Sequence, residues 1–348
     1  MTSVNWKDLH RTDLWKVEMI DPLNLEISRG FLGGIENIEF TAGYYTETRS
    51  GASVKTFGDD GYITNSQLRI IHEVPEWDFT EVIFTGFVTD SSVVWYQGEK
   101  ETTYTVSSDL YGLKVDAHRV DFVCNAGSTA IKSASLLMSQ CSRPHKLETG
   151  YTDYIFSSAK VFTIGDTLLS TISELCDLAN CRYEVDPYGY VTIGKYVSPS
   201  SKTASAVLDE GDERTLIVQN QVQETSNESD LPGEVLVTSG NGDTKISGWA
   251  MVSSGSSLHP SRRGYNYVDV QEVSELSPNT ASAANARAKV LLANNSPTKE
   301  WSVDSLYFPT KCGDVYRYVG SGGDRRVLLK SLSVNCLQGT QTMTLKGI

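Results

Sequence analysis

Ser331-Leu-Ser-Val-Asn-Cys336, a Gln338-Gly339 pair, and Thr342-Met-Thr-Leu345 close the chain. Leu332, Val334 and Cys336 alternate with Ser331, Ser333 and Asn335, and Met343 and Leu345 alternate with Thr342 and Thr344. A period of two places every apolar side chain of a run on one face of a strand, and the Gln-Gly pair supplies the turn, so the segment predicts a hairpin. The same period recurs at the other end of the chain. Trp15, Val17 and Met19 alternate with Lys16 and Glu18, and Leu23, Leu25 and Ile27 alternate with Asn24, Glu26 and Ser28, with Asp21-Pro22 as the expected turn. Further strands are predicted at Ile38–Thr41, Leu68–Val74, Val82–Thr89 and Thr103–Ser107, with 44–66, rich in Gly, Thr, Ser and Asp, as a long loop or hairpin tip. Short strands divided by Gly, Asp and Asn turns predict a small barrel or sandwich.

From about residue 124 the period changes to that of a helix. Ala130, Ile131, Ala134, Leu137 and Met138 share one side before Arg143-Pro144 stops the run. Thr163-x-x-Asp166 has the form of a capping box, and Leu168, Ile172, Leu175 and Ala179 then recur as one apolar stripe. Arg182–Val185, the turn Asp186-Pro187-Tyr188-Gly189, and Tyr190–Ile193 predict a hairpin that closes a compact α/β insertion. Between about 198 and 230 the sequence turns polar, with an acidic knot at Asp209, Glu210, Asp212 and Glu213, and Glu234–Thr238 resumes the strands. A third helix is expected from Ser277-Pro278, a good cap and first-turn pair, with Ala281, Ala284, Ala288 and Leu291 on one face until Asn294-Asn295 and Pro297. The predicted fold class is mainly β with α/β insertions.

The bulk properties narrow the function. A chain of 348 residues, 39% hydrophobic and 21% charged, suits two or three globular domains. It has no apolar run long enough to span a bilayer, and its start has no signal-peptide pattern, so a protein made in the cytosol is expected. A net charge of −13 argues against specific nucleic-acid binding, which draws on clustered Lys and Arg, while an acidic wall would let a polyanion pass without sticking. The six cysteines, Cys124, Cys141, Cys176, Cys181, Cys312 and Cys336, show no Cys-x-x-Cys pair and no zinc-ligand spacing, and are expected to be ordinary thiols.

No catalytic pattern emerges. His10, His72, His118, His145 and His259 lie outside any nucleophile motif, and His72 shares a strand face with Leu68 and Ile70, as a packed histidine would. Asp59-Asp60, Asp209-Glu210 and Asp212-Glu213 are runs of neighbours, whereas a glycosidase holds its two carboxyls across a cleft from separate segments. They also lack the calcium-loop pattern. Gly30-Phe-Leu-Gly33-Gly34 and Gly320-Ser-Gly322-Gly323 precede no helix and no Lys-Ser/Thr, so hairpin turns are expected rather than phosphate loops. Trp77, Trp95, Tyr96 and Trp249 would matter for sugar binding only as an exposed shelf; strand aromatics are normally core or interface. No catalytic, cofactor-binding or metal-ligating residue is assigned.

Two stretches carry a resemblance. Phe162-Thr-Ile-Gly-Asp-Thr-Leu-Leu-Ser-Thr-Ile-Ser-Glu-Leu-Cys176, followed by Tyr183-Glu-Val-Asp-Pro-Tyr-Gly-Tyr-Val-Thr-Ile-Gly194, is similar to the helix and hairpin of phage tail hub proteins. These are found in siphophage tail tips and are related to contractile-phage baseplate hubs and type VI secretion spikes. Gly313-Asp-Val-Tyr-Arg-Tyr-Val319 and Arg326-Val-Leu-Leu-Lys-Ser-Leu-Ser-Val334 resemble the family's final barrel strands. The opening hairpin, the 279–294 helix and Leu216–Gln271 follow in the expected order.

The resemblance implies two small β-barrel domains. The first spans 1–123 and is completed by strands from about 203–239, an α/β insertion occupies 124–202, and the second barrel spans 240–348 with its helix at about 278–294. It further implies a homotrimer, pseudo-sixfold, joining tail tube to tail tip in the virion. The implied partners are a distal tail or tube protein, the tape measure protein, and tail-tip or fibre proteins, with DNA passing through the lumen and no enzyme activity. Longer relatives carry a C-terminal fibre or lysin, so here such a domain would be a separate protein. The rival readings are a tail-tip glycan hydrolase, a carbohydrate- or receptor-binding module, and the distal tail ring protein.

Overall fold

In the computed structural model, which describes residues 6, 11–58, 63, 66–210, 222–226, 231–239, 245–273, 280–294, 299–320 and 323–348, strands dominate the regular structure. Expectations at His10, Asp59-Asp60, Asp212-Glu213, Ser277-Pro278, Asn295, Pro297 and Ser321-Gly322 lie outside the described residues. The chain divides into two compact units: unit 1 comprises Met1–Val222, Ser302–Lys346 and Ile348, and unit 2 comprises Gln223–Trp301 and Gly347.

Unit 1 begins with β1 (Leu14–Ile20), β2 (Ser28–Phe31), β3 (Ile35–Gly43), β4 (Ser50–Phe57), β5 (Gln67–Val74), β6 (Phe79–Tyr96) and β7 (Glu99–Ser107). The alternation read from sequence is the alternation of burial: Val17, Ile38, Phe40, Leu68, Ile70, Val74, Tyr104 and Val106 all point into the core. The opening hairpin differs from expectation. β1 pairs with Ser28–Phe31 rather than with 23–27, because Asp21 Oδ1 accepts from the amides of Leu23 and Asn24 and winds that segment into a wide turn. Within the expected 44–66 loop lies β4, whose Ala52, Val54 and Thr56 face inward; small and hydroxyl side chains hid the strand. Gly30–Gly34 is no hairpin turn, since β2 pairs β1 while β3 pairs β4 and a C-terminal strand.

An insert follows: α1 (Leu110–Val115), β8 (Phe122–Cys124), α2 (Ala130–Gln140), β9 (His145–Leu147), β10 (Lys160–Phe162), α3 (Leu168–Leu178), β11 (Cys181–Val185) and β12 (Val191–Lys195). Its own core joins Ile131, Ala134, Leu137 and Met138 of α2 to Leu168, Ile172 and Leu175 of α3 and to Val191 and Ile193. The helix begins later than the capping box suggested. Asp166 accepts from the Thr163 amide and hydroxyl, but the cap is Thr167, whose Oγ1 accepts from the Ser170 amide at 3.1 Å. The β11–β12 turn is as expected, with Gly189 at φ +93° and Asp186 accepting from the amides of Gly189 and Tyr190. After the insert, β13 (Ala206–Asp209) takes the start of the acidic knot into a strand.

In unit 2, β14 (Gln223–Ser226) is followed by β15 (Glu234–Ser239), β16 (Ile246–Met251), α4 (Pro260–Arg263), β17 (Val268–Val273) and α5 (Ala281–Asn294). β15 lies between β16, antiparallel, and β17, parallel. Val235, Val237 and Ala250 meet Ala284 and Ala288 of α5, while Ala281 is exposed at its first turn. Gly248 lets the helix backbone touch the sheet, and Asn285 Oδ1 accepts from the Trp249 amide on the open edge of β16.

The chain ends with β18 (Lys299–Leu306), β19 (Val315–Gly320), β20 (Gly323–Asn335) and β21 (Thr340–Gly347). The first half of β20 pairs with β19, and its second half pairs with β3, so the C-terminal strands close onto the N-terminal sheet. From that junction the sheet runs β20-β3-β4-β7-β6-β5-β1-β2. Leu332, Val334, Cys336, Met343 and Leu345 are buried, as the terminal hairpin predicts.

Candidate assembly surface

β6 is longer than β5, its neighbour on one side. Its first half pairs with β5 as far as Phe87; beyond that, among the described strands, only β7 accompanies it. A register shift between Val88 and Asp90 bends the ribbon, and Gln97 and Gly98, both at positive φ, make the tight turn. The second half of β6 is thus an open sheet edge, with β7 and β4 behind it, and it exposes Val93, Val94, Trp95 and Tyr96, the last two 67% and 55% exposed. Cross-strand register sets Trp95 opposite Lys100 and Tyr96 opposite Glu99. An apolar run of this kind, with an open strand edge, is what assembly surfaces use and monomers avoid.

The insert is held to the strands by arginines on aromatic rings rather than by a shared apolar core. Arg182 lies 3.5 Å over Tyr44, Arg49 5.2 Å over Tyr183, Arg69 5.6 Å over Tyr188, and Arg143 5.2 Å over Phe87. Thr85 Oγ1 donates to the Pro187 carbonyl at 2.8 Å, and Lys311 pairs with Glu184 at 2.5 Å. Beside this seam opens a cleft of about 170 Å³, walled by Phe40, Phe84, Pro309 and Leu332 and edged by Arg49 and Arg182. Arg49 Nη1 donates to the Tyr44 carbonyl, yet its buried Nε has no acceptor. Arg182 Nε approaches Glu184 Oε1 at 2.7 Å but is poorly aligned with it. Burial, with the second guanidinium alongside, holds the Arg49 pKa below its usual value.

The entry to the insert carries a buried acid. Asp109 Oδ1 accepts from Gln67 Nε2 at 3.1 Å, its Oδ2 has no partner, and burial pushes the carboxyl up to about 7 against the opposing pull of Arg143. The folded value lies above the ordinary 3.8, so the native state holds this proton more tightly than the unfolded chain. Its stabilisation is complete below the unfolded value and is lost as pH rises through about 7. Asp109→Asn is therefore expected to raise the melting temperature at pH 8, by at most about 4 kcal/mol of stability, and to change it little at pH 4. Equal effects at both pH values would contradict the assignment.

The histidines and acids weighed from sequence do not converge. His72 is fully buried, Nε2 2.7 Å from Asp13 Oδ1, stacked on Trp15 and edge-on to Tyr307, whose hydroxyl donates to Glu81. With Arg11 donating to the Tyr307 carbonyl, this group pins the N-terminal segment to the C-terminal strands. His118 bonds Thr171, His145 bonds Ser135, and His259 caps the short helix α4. Among the described residues no three His, Cys, Asp or Glu side chains gather as a metal site, and all six cysteines are free.

Within unit 1, Trp77 and Trp95 form no common shelf. Trp77 packs edge-on against Trp6 just before β6, and Trp95 lies at the far end of that 18-residue strand. Trp249, in unit 2, is 57% exposed on the sheet face opposite α5, in line with Leu236 and Val270. The open edge of β6 and the seam were not distinguishable in sequence; the run Val93-Val-Trp-Tyr96 reads equally well as a core strand.

A strand frame with an α/β insert in its middle and a separate sheet-and-helix unit is a fold shared with solved tail proteins. The tail protein from Neisseria meningitidis MC58 has this fold, with a TM-score of 0.70 and 13% identity over 95% of this chain and 96% of that one. So does the 43 kDa tail protein of prophage MuSo2 from Shewanella oneidensis, with a TM-score of 0.67 and 14% identity over 96% and 98%. A chain of the Francisella PdpA-VgrG complex is similar over 97% of this chain and 58% of that one, with a TM-score of 0.57 and 10% identity. No protein-family model matches the sequence, and no curated protein matches it.

Proposed function

We propose that this chain is a structural tail protein, the hub subunit of a phage-type tail, and that three copies form a ring joining the tail tube to the tail tip. The observation that carries this is the extent of the likeness: tail proteins of similar length match from end to end, 95% of this chain against 96% of the Neisseria protein, rather than through one shared module. Two barrel-like halves per chain would let a threefold ring meet a sixfold tube. The subunit then needs stiff strands, guarded or paired edges, and large contacts, and no reactive centre.

Its place is the virion, at the tail tip or baseplate. Its partners are its own copies, a distal tail or tube protein, the tape measure protein, and tail-tip or fibre proteins. No cofactor enters this role, and a net charge of −13 suits a ring through which DNA passes without being held. The purified chain is expected to sediment at three times its 38.2 kDa mass. A particle six times that mass would favour a distal tail ring, and one that stays at 38.2 kDa at every concentration would count against a ring of any order.

A further inference from the structure

The Asp109 carboxyl belongs to a pair in which each side chain has one atom without a partner. Gln67 and Asp109 are both fully buried, and the bond from Gln67 Nε2 to Asp109 Oδ1 uses one atom of each. The atoms left over, Gln67 Oε1 and Asp109 Oδ2, have no partner. Both are acceptors while the carboxyl is ionised, since neither a carboxylate nor an amide carbonyl has a hydrogen to give. One proton on Oδ2 turns that oxygen into a donor and supplies both missing bonds at once.

The pair stands where the insert joins the strands. Gln67 opens β5 and lies opposite Phe87 of β6, whereas Asp109 immediately precedes α1, whose Leu110 and Leu113 belong to the insert core. Two tethers therefore land on neighbouring strand positions, Asp109 on Gln67 and the Arg143 guanidinium over the Phe87 ring. Charge around the pair is sparse. Among the described residues, Arg143 is the charged group that acts on Asp109, and it does so without a hydrogen bond. β5 presents the neutral Gln67, β7 ends at Ser107, and Lys114 of α1 pairs with Glu47.

We propose that Asp109 is protonated when the insert is seated, that its Oδ2–H donates to Gln67 Oε1 while Gln67 Nε2–H donates to Oδ1, and that this acid–amide pair is a pH-sensitive latch between insert and strands. The proton comes from water as the latch closes and returns to it as the latch opens. Burial holds the carboxyl at about 7 in the folded chain against 3.8 once opened, so the latch is closed in acid and weakens as pH rises through about 7. In the ionised form two bare acceptors are left inside the fold, a cost that local opening of the α1 turn relieves.

Amide exchange of the full chain reads the latch at Tyr111 and Asp116, whose N–H groups bond to the carbonyls of Ser108 and Gly112. In the parent, the opening constant of this turn, corrected for intrinsic exchange, is expected to rise on the order of a hundredfold between pH 5 and pH 8. Asp109→Asn carries an amide able to donate to Gln67 Oε1 at every pH, so its opening constant is expected to stay level and to equal the parent's at pH 5. Gln67→Met removes the acceptor and is expected to open the turn about tenfold more than the parent at pH 5. The Asp109 carboxyl carbon of the parent, followed by nuclear magnetic resonance, is expected to titrate near 7; a midpoint near 3.8 would overturn the protonated state. An Asp109→Asn chain that opens more readily than the parent at pH 5 would overturn the reciprocal pair, because its new N–H would then be buried without an acceptor. So would a Gln67→Met chain that opens no more than the parent at that pH.

Discussion

Gly248→Val is expected to cost unit 2 its fold. A Cβ at 248 would sit 2.5 Å from the carbonyl carbon of Ala284 and closer still to the amide nitrogen of Asn285, both helix backbone atoms that cannot swing aside. α5 would have to lift off β16, uncovering Val237 and Ala250 and breaking the bond from the Trp249 amide to Asn285. The core of this unit is small, built on Val235, Val237, Ala250, Ala284 and Ala288, and has little reserve. Overpacking costs about 1–3 kcal/mol where side chains can adjust, and backbone contact with a helix exceeds that range. Hydrogen exchange should show loss of protection in 234–239, 246–251 and 281–292, while the strands of unit 1 keep theirs. Protection equal to the parent's in these segments would refute the close approach.

Arg182→Met is expected to loosen the insert by about 3 kcal/mol, the lower part of the range for breaking a buried ion pair. The variant keeps a long apolar stem but loses the plane over Tyr44, the bond to the Tyr44 carbonyl at 3.3 Å, and the charge beside Glu184. Glu184 would then keep its ion pair with Lys311 and the more distant charge of Lys202. Removing the like charge next to Arg49 returns part of the loss, which is why the larger figures for buried pairs do not apply. Arg182→Lys should cost less, about 1 kcal/mol, because it keeps the charge and loses the stacking plane. The measurement is the melting temperature with hydrogen exchange over 181–195. An effect as small for methionine as for lysine would mean that the seam is held elsewhere.

How much of this was legible in the sequence depended on distance along the chain. Alternation is local, so β1, β5, β7, β20 and the terminal hairpin could be read directly, as could the stripes of α2 and α3. β4 escaped because Gly51, Ser53 and Thr56 carry no apolar signal, although Ala52 and Val54 are buried. The opening hairpin went astray because the alternation of Leu23, Leu25 and Ile27 competes with the side chain of Asp21, and the local bonds to Leu23 and Asn24 win.

Nothing in a strand's period says which strand lies beside it. The pairing of β20 with β3 brings Val334 to Phe40 across nearly 300 residues, and the bond from Arg182 to Tyr44 spans 138. The open edge of β6 was hidden for the opposite reason. Val93–Tyr96 has the composition of a core strand, and only the end of β5 pairing at Phe87 leaves it without a cover. The structural role was an expectation drawn from the resemblance carried by 162–194 and 313–334, while the surfaces able to serve such a role depend on tertiary neighbours.

The most direct test of the hub role is imaging of an intact tail-bearing particle that contains this chain. Three copies, related by a threefold axis and lying between the sixfold tube and the tip, are expected. Six equivalent copies at that level, or a position away from the tail axis, would contradict it.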